Sequence, residues 1–582
     1  MNRAENLGLK LGLGIAGLLS LVLTASGVAA APEDQVAHLK RELLARAESV
    51  GPPPEKNAEA PPQPVQTILA AGDWEFSLEF ASKIGNKQSR ANALVALVGK
   101  ASQLADQNQA RVALGRVVNA AGEIGEEAAK ARILADCAAA AAKLGAAASG
   151  RDLFTRALQS AGRISDDSSR ARVLARLAEA AANLDDTGQG RALLGQALNA
   201  TDRIAVEATK ALVLTRLAAA AAELGDAPQG RGLLVRALQA ADKMDDDLAK
   251  AGVLGVVAQG AARLGDPGQG RAILESMVGA TEHIGSDLGK ARVLASVSGA
   301  AAALADPAQG REVLAAVREA ANKIGSDFTK VRWLLVALVD AEVKLGDASQ
   351  GRDLAEQALR TVDTVSGDFA RVRILESVAG AGAKLGDPAQ VRALSSLVLQ
   401  ETGKVADTSL RPRVLIILAQ AAGKLGDPAQ GRALLAGLIP VADTGRGEAE
   451  LMALLLAVAE SAARLGDPAL AHTLLSRAAR ETSGIAAESA RARAEVALAE
   501  TALQIGDGAR ADASLRAVAA MRQRFGAQVL ADADLLRAVA VAASLDQWRW
   551  ATAMSDTLGT DDAQLDALSR IFAAWASRAR SR

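Results

Sequence analysis

Tyrosine is absent from this chain, and the other aromatics are sparse, with seven Phe and five Trp among 582 residues. A core cannot then be organised around rings. Half the residues are apolar, so the interior has to be assembled mainly from Ala, Leu and Val, which makes it shallow and closely packed. A single cysteine excludes an intrachain disulfide; Cys137, within ILADCAAAAAKL, reads as a small buried hydrophobe. His38, His283 and His472 are scattered without metal-ligand spacing, so no metal is expected, and the last two read as surface residues. An excess of one charge is missing too. Lys plus Arg number 66 against 67 for Asp plus Glu, which argues against a general nucleic-acid binder. No strand pattern appears, and ETGKV and SDLGKA lack the upstream glycine of a phosphate loop, so no cofactor and no enzyme activity are expected.

At the start, Arg3 and Lys10 precede the apolar run LGLGIAGLLSLVLTASG, and Val28-Ala29-Ala30 supplies small residues ahead of Ala31. Residues 1–30 therefore read as a secretory signal peptide, with a retained membrane anchor as the alternative. The expected location is periplasmic or secreted, with no transmembrane span after cleavage. Residues 31–66 read as a short helix, with Val36, Leu39, Leu43, Leu44, Ala47 and Val50 on one face, followed by a linker carrying six prolines between residues 52 and 64. The globular body is expected from about residue 67.

What the chain has in abundance is repetition. Asp106, Asp186, Asp226, Asp266, Asp306, Asp347, Asp387, Asp427, Asp467 and Asp507 mark a turn that recurs every forty residues, with Ala146 in the one vacancy and a single step of forty-one. In LGDPAQGR, Gly426 ends one helix in the left-handed conformation and Asp427 caps the next. Pro428 suits the first helical position, and Gln430 is placed to bond back in capping-box manner. Twenty-one residues past each turn aspartate stands another acid: Glu127, Asp167, Glu207, Asp247, Asp287, Asp327, Asp368, Glu448 and Glu488, with Thr408 as the exception. These are expected to cap the other helix of each unit. Each unit is thus two helices of about fifteen residues. A lone unit cannot bury enough to offset its conformational entropy, so units must stack and the ends must be capped. Trp74, Trp548, Trp550 and Trp575 lie outside the regular array, and residues 67–88 and 525–582 read as the two caps.

In the unit around Asp226, Leu214, Leu217, Ala218 and Leu224 stand on the first helix and Gly230, Leu234 and Ala237 on the second, either side of Gly225-Asp226. On these residues the chain resembles the tetratricopeptide-type helical repeats, over residues 89 to about 524. The resemblance implies an all-α, right-handed α-solenoid of about eleven 40-residue helix-turn-helix units, with helical caps at both ends and the first helices lining a concave side. Small residues at the Ala218, Gly230 and Ala237 places would let helices touch. The chain departs from the family in its longer unit and in Ala221, where the family usually has Tyr; HEAT-like or unclassified arrays remain alternatives.

Two arginine rows run in register. Arg111, Arg151, Arg191, Arg231, Arg271, Arg311, Arg352, Arg392 and Arg432 follow the turn by five residues, and are expected to pair with a neighbouring unit's carboxylate or lie over its apolar surface. Arg132, Arg172, Arg292, Arg332, Arg373 and Arg413 stand on the first helices and are the candidate ligand-binding residues. Lys143, Arg263, Lys344, Lys384, Lys424 and Arg464 would lie toward the far ends of those helices, with a low-relief floor of Ala, Gly and Ser between. Trp333 joins the candidates: it is the one tryptophan inside the regular array, within VRWLLVALVDAEVKL, where the forty-one-residue step falls. The extra residue there is absorbed either as a π-bulge or by local repacking. The C-terminal LSRIFAAWASRARSR reads as a cap or a membrane-surface helix. These readings lead to an exported, non-catalytic scaffold that binds a partner protein or peptide of the cell envelope through its concave face. A binder or conduit for an anionic envelope or extracellular polysaccharide is the alternative.

Overall fold

A computed structural model of the chain describes residues 32–53, 60–425, 427–442 and 448–581. The signal-peptide reading for residues 1–30 and the glycine reading for Gly426 lie outside the described residues. Among the described residues the fold is all-α, without strands. It divides into two compact units, one running from Val98 to Gly506 and the other joining the described residues up to Leu97 with those from Asp507 onward.

The Val98–Gly506 unit is the repeat array, built of successive helix pairs. First helices such as Glu127–Lys143, Asp167–Asn183, Glu207–Glu223, Asp247–Ala262 and Asp287–Ala301 each pack on the next, and each also packs on its own second helix, for example Glu207–Glu223 on Ala227–Asp242. The first helix Glu207–Glu223 buries Ala211, Val213, Leu214, Leu217, Ala218, Ala220 and Ala221, so almost three of its sides are covered. That burial pattern requires small side chains. On the second helices the approach is closer still: a Cβ at Gly270 would lie 2.7 Å from the Ala261 carbonyl oxygen of its own unit and 2.9 Å from Leu304 of the next. Glycine there is a packing requirement.

The turn behaves as its residues dictate. Gly225 takes φ +75 and Asp226 accepts a hydrogen bond from the Gln229 amide at 3.0 Å. The Gly225 amide donates to Ala222 and the Asp226 amide to Ala221, both at 2.9 Å, which closes the preceding helix in a Schellman arrangement. One residue thus ends a helix with its amide and begins the next with its carboxylate. This corrects the capping-box expectation for glutamine. At Asp186, Asp226, Asp347 and Asp467 the cap amide is already bonded to the preceding helix. Elsewhere the Gln269, Gln309 and Gln430 side chains donate instead to the second carboxylate oxygen of their own aspartate, at 3.1, 3.1 and 3.2 Å.

The second set of acids also acts differently from expectation. The N-caps of the first helices are the residues one earlier, such as Asp166, Asp246, Ser286 and Ser326, whose side chains accept the amide bonds. The expected acids sit in the first turn, where the side chain points away from its own free amides and towards the following unit. Asp247 accepts from the Ser286 amide at 2.7 Å, Asp287 from the Ser326 amide at 2.9 Å and Asp368 from the Asp407 amide at 2.6 Å. Glu127 meets Arg163 at 3.4 Å and Asp167 meets Arg203 at 3.7 Å, each at the end of its own unit's second helix. Asp247, Asp287 and Asp368 are thus ties between units, while Glu127 and Asp167 clasp the two helices of one unit.

In the other unit, helix Asp561–Ser581 packs on Pro32–Arg46, Gln63–Ala70, Asp532–Ser544 and Trp548–Ser555. The Phe76 and Phe572 rings lie 4.7 Å apart, and Lys40, ion-paired to Asp73 at 2.5 Å, stands 5.3 to 5.9 Å over Phe76, Phe572 and Trp575. The segments read as caps for opposite ends therefore share one core. The folded body also starts earlier than residue 67: Leu39, Leu43, Ala47 and Val50 are buried, and Ser89 and Asn92 bond the carbonyls of Gly51 and Ala60 on either side of the proline-rich stretch. Helix Gly508–Phe525, read as part of the last repeat, belongs to this unit.

Two predictions follow from the turns. Asp185 stands at the left-handed position with φ +58 where other units have glycine, so Asp185→Gly should raise stability by about 0.5 to 1 kcal/mol, read as a higher urea midpoint. Secondly, amides hold several turn carboxylates below the usual range: Gln269 at Asp266, Gln350 at Asp347, Gln430 at Asp427 and Ser286 at Asp247. Unfolded Asp titrates near about 3.9. These groups therefore contribute stability above about pH 4 that is lost as pH falls through their folded values. Burial pushes Glu179, Glu342 and Asp556 upward, which works in the opposite sense at those three positions. Thermal melts should drop on acidification through that window; a constant or rising midpoint contradicts the capping role.

Candidate functional site

The exposed stripe of each first helix follows from the helical period. In Asp167–Asn183 it runs through exposed Arg172 and half-buried Arg176, Glu179 and Asn183, while Val173, Leu174, Leu177 and Ala178 turn inward. Because the first helices stack in register, equivalent positions form rows across the unit.

The arginines expected as one ligand row are divided by their neighbours. Arg132 is half-buried. Arg172 is exposed and its guanidinium turns back onto its own helix, to the Ser168 carbonyl and the Ser169 hydroxyl, both at 3.4 Å. Leu212 and Gly252 then occupy the row. Arg373 and Arg413 are both held by Glu376, at 2.5 and 2.8 Å, and Arg413 lies 5.8 Å over the exposed Phe369 ring. Arg292 and Arg332 are brought together by Trp333, their guanidinium carbons 5.0 and 5.1 Å from its ring centre. Neither of those two is ion-paired among the described residues.

The backbone explains why Trp333 is there. The forty-one-residue step is absorbed as a π-helical turn, Lys330–Leu335, between Asp327–Thr329 and Val336–Lys344. In the other units the residue after the row position is buried: Ile133, Val173, Val213, Val253, Val293, Ile374 and Val414. Trp333 is 42% exposed, and the buried pair resumes at Leu334 and Leu335. Trp333 is therefore the inserted residue, and the π-turn is what lets it stand on the outer stripe without displacing the core. On the opposite side of the same turn, Val331, Leu334, Leu335 and Leu338 floor a cavity of about 310 Å³ rimmed by Arg318, Gln350 and Gln357.

Charges elsewhere on the stripe compensate one another. Arg176 Nη1 reaches both Asp136 oxygens at 2.8 Å, and Asp340 holds Lys344 and Lys384 at 2.9 and 3.0 Å. Burial raises Glu179 even though Arg216 and Arg176 pull it down, so it too belongs to a local cluster. Glu376 and Phe369 were not among the candidates; the spacing of Glu376 three residues after Arg373, a helical ion-pair spacing, was the signal.

The other row is structural where its contacts are seen. Arg111 donates to the Leu144 carbonyl that ends the next unit's first helix, at 2.8 Å, and Arg432 to Leu465 at 3.4 Å. Arg271 pairs with Glu275 at 3.0 Å and with Glu312 of the next unit, and Arg352 with Glu356 at 2.6 Å. His283 and His472 are exposed, and no group of three or more metal-capable side chains occurs among the described residues. Nor is any described helix long and apolar enough to cross a membrane.

No family model and no curated protein matches the chain. Solved structures do. A signal-transduction ATPase with a tetratricopeptide repeat sensor from Pyrococcus horikoshii is 12% identical, covering 80% of this chain and 67% of that one, with a TM-score of 0.23. Yeast Tom70 is 14% identical over 76% of this chain and 95% of its own, at 0.24. The Naa15/Naa10 complex bound to HypK-THB gives 13% identity, 94% and 81% coverage, and 0.28.

Cys137 is fully buried, and that burial pushes its thiol well above the ordinary range. The native chain should resist a thiol-specific alkylating agent at mildly basic pH and react stoichiometrically once unfolded in guanidinium; rapid labelling of the folded chain would contradict its placement.

Proposed function

We propose that this chain is an exported interaction scaffold, without chemistry of its own, that holds a partner protein on the face formed by its stacked first helices. The observation that carries the reading is the character of that face. Its middle stretch, helices Asp247–Ala262 and Asp287–Ala301, exposes Gly252, Val256, Gln259 and Gly299, with half-buried Ser296 beside them, a low floor along which another backbone can approach closely. Exposed Leu212, Val256 and Trp333 supply apolar contact on that face. Export rests on Arg3, Lys10 and the apolar run after them. The polysaccharide reading needs a continuous cationic track, and Asp136, Asp340 and Glu376 interrupt it by holding the arginines and lysines beside them.

Site-specific photo-crosslinking in the source cell tests the scaffold. A photoreactive residue at Ser296 or Gly299 should capture one protein reproducibly, and that protein, once purified, should bind the purified chain. The same residue at the exposed Ala315 on a second helix should not capture it. Capture from Ala315 alone would place the partner on the wrong face.

A further inference from the structure

We infer that the partner is held through an acidic segment, whose carboxylates seat on Arg292 and Arg332 where both lie over the ring of Trp333; this rests on the scaffold reading above. Three independent features of the face converge on that stretch.

The first is an imbalance of charge. Helices Asp247–Ala262 and Asp287–Ala301 contain no acid beyond their opening aspartates, and those two carboxylates are committed to the Ser286 and Ser326 amides. Lys250 is buried and donates to the Asp242 carbonyl. First helices further along the array carry counter-charges for some of their arginines, Asp136 for Arg176 and Glu376 for Arg373 and Arg413. Arg292 and Arg332 are thus a local cationic pair without an acid partner among the described residues, held at one ring. The nearest acid on that stripe, Asp340, is held by Lys344 and Lys384.

The second is the inserted tryptophan. A π-turn and a large exposed ring both cost stability, and neither is needed for the array, since every other unit manages with a buried aliphatic residue at that point. What the insertion does achieve is to bring two guanidinium groups within 5.1 Å of one ring. The ring quadrupole holds the cations in place without neutralising them, so their N–H groups remain available to carboxylates. A ring engaged by guanidinium groups is also a poor stacking platform for a sugar, which favours a polypeptide over a glycan.

The third is relief. Gly299 and Ser296, on the same helix as Arg292, leave room for a main chain beside the arginines, and Val256 offers an apolar contact one unit away. An acidic segment with interspersed apolar side chains matches this pattern.

Fluorescence anisotropy on the full chain tests the inference, with a labelled Glu–Ala peptide, its Gln–Ala counterpart and polygalacturonate as probes. The Glu–Ala peptide should bind and weaken with salt, and the Gln–Ala peptide should not bind. Arg292→Gln and Arg332→Gln should each weaken binding roughly tenfold, the loss of one charge-assisted contact. Arg373→Gln and Arg413→Gln should leave it unchanged, because Glu376 already holds both groups, and Glu376→Gln should tighten it. Deleting Trp333 restores the forty-residue period, so circular dichroism should stay native while peptide affinity falls. Equal losses from Arg373→Gln and Arg292→Gln, or equal binding of the Gln–Ala peptide, would overturn the proposal. If no peptide binds but Ser296 still crosslinks to a partner, the acidic-segment inference fails and the scaffold stands. If polygalacturonate alone binds, both fail.

Discussion

Close approach of helix backbones through Ala and Gly is the constraint on which the repeat array depends. With no tyrosine and few other rings, the interior has no large side chain to span a gap between helices, so the gap has to be small. Gly270 against the Ala261 carbonyl shows how small. A spacing that tight tolerates little variation in crossing geometry, and the turns are correspondingly uniform. At Asp186, Asp226, Asp347 and Asp467 the aspartate ends one helix with its amide and opens the next with its carboxylate, leaving no connecting residue free to wander. At Asp247, Asp287 and Asp368 the first-turn acids then fix a unit to its successor through amides thirty-nine residues away.

That uniformity gives the one exception its meaning. An array tolerant of variation would carry many insertions, and a single extra residue would be lost among them. Here the core resumes at Leu334 and Leu335 immediately after Trp333, so the insertion is confined to the outer stripe. The π-turn is the device that separates the two demands, because it lengthens the helix locally while keeping the buried face in phase. Stability is conceded at one turn, and a feature no other unit can display is gained.

Much of the fold was legible because its chemistry is periodic. The Asp-capped turn, the helix pair and the small-residue contacts each follow from a few letters seen many times, and repetition turns weak local preferences into a firm reading. What the sequence could not show was direction. Whether Asp247 caps its own helix or ties to Ser286 depends on a one-residue shift of the helix start, the least determined feature of any boundary. The same holds for the ends: Phe76 and Phe572 are nearly five hundred residues apart, and no local pattern announces that they share a core. Within the site, the insertion point was legible to within one helix. The identity of the extra residue emerges only from comparing RVL in one unit with RWLL in the next, once burial shows which letters correspond.

In the proposed site, partial neutralisation of the neighbouring arginines sets Arg292 and Arg332 apart from the rest of the cationic row. A fully uncompensated ladder of arginines would attract any polyanion along its whole length, and its selectivity would be that of net charge alone. Pairing Arg373 and Arg413 with Glu376, and Arg176 with Asp136, removes most of that field and leaves a short stretch where an anion gains more than it loses. Recognition then depends on matching a spacing as well as a sign, since Arg292 and Arg332 come from successive units and are held at a common ring. The repeat supplies the spacing, the inserted tryptophan fixes the orientation, and the acids on either side limit the length over which a ligand can bind.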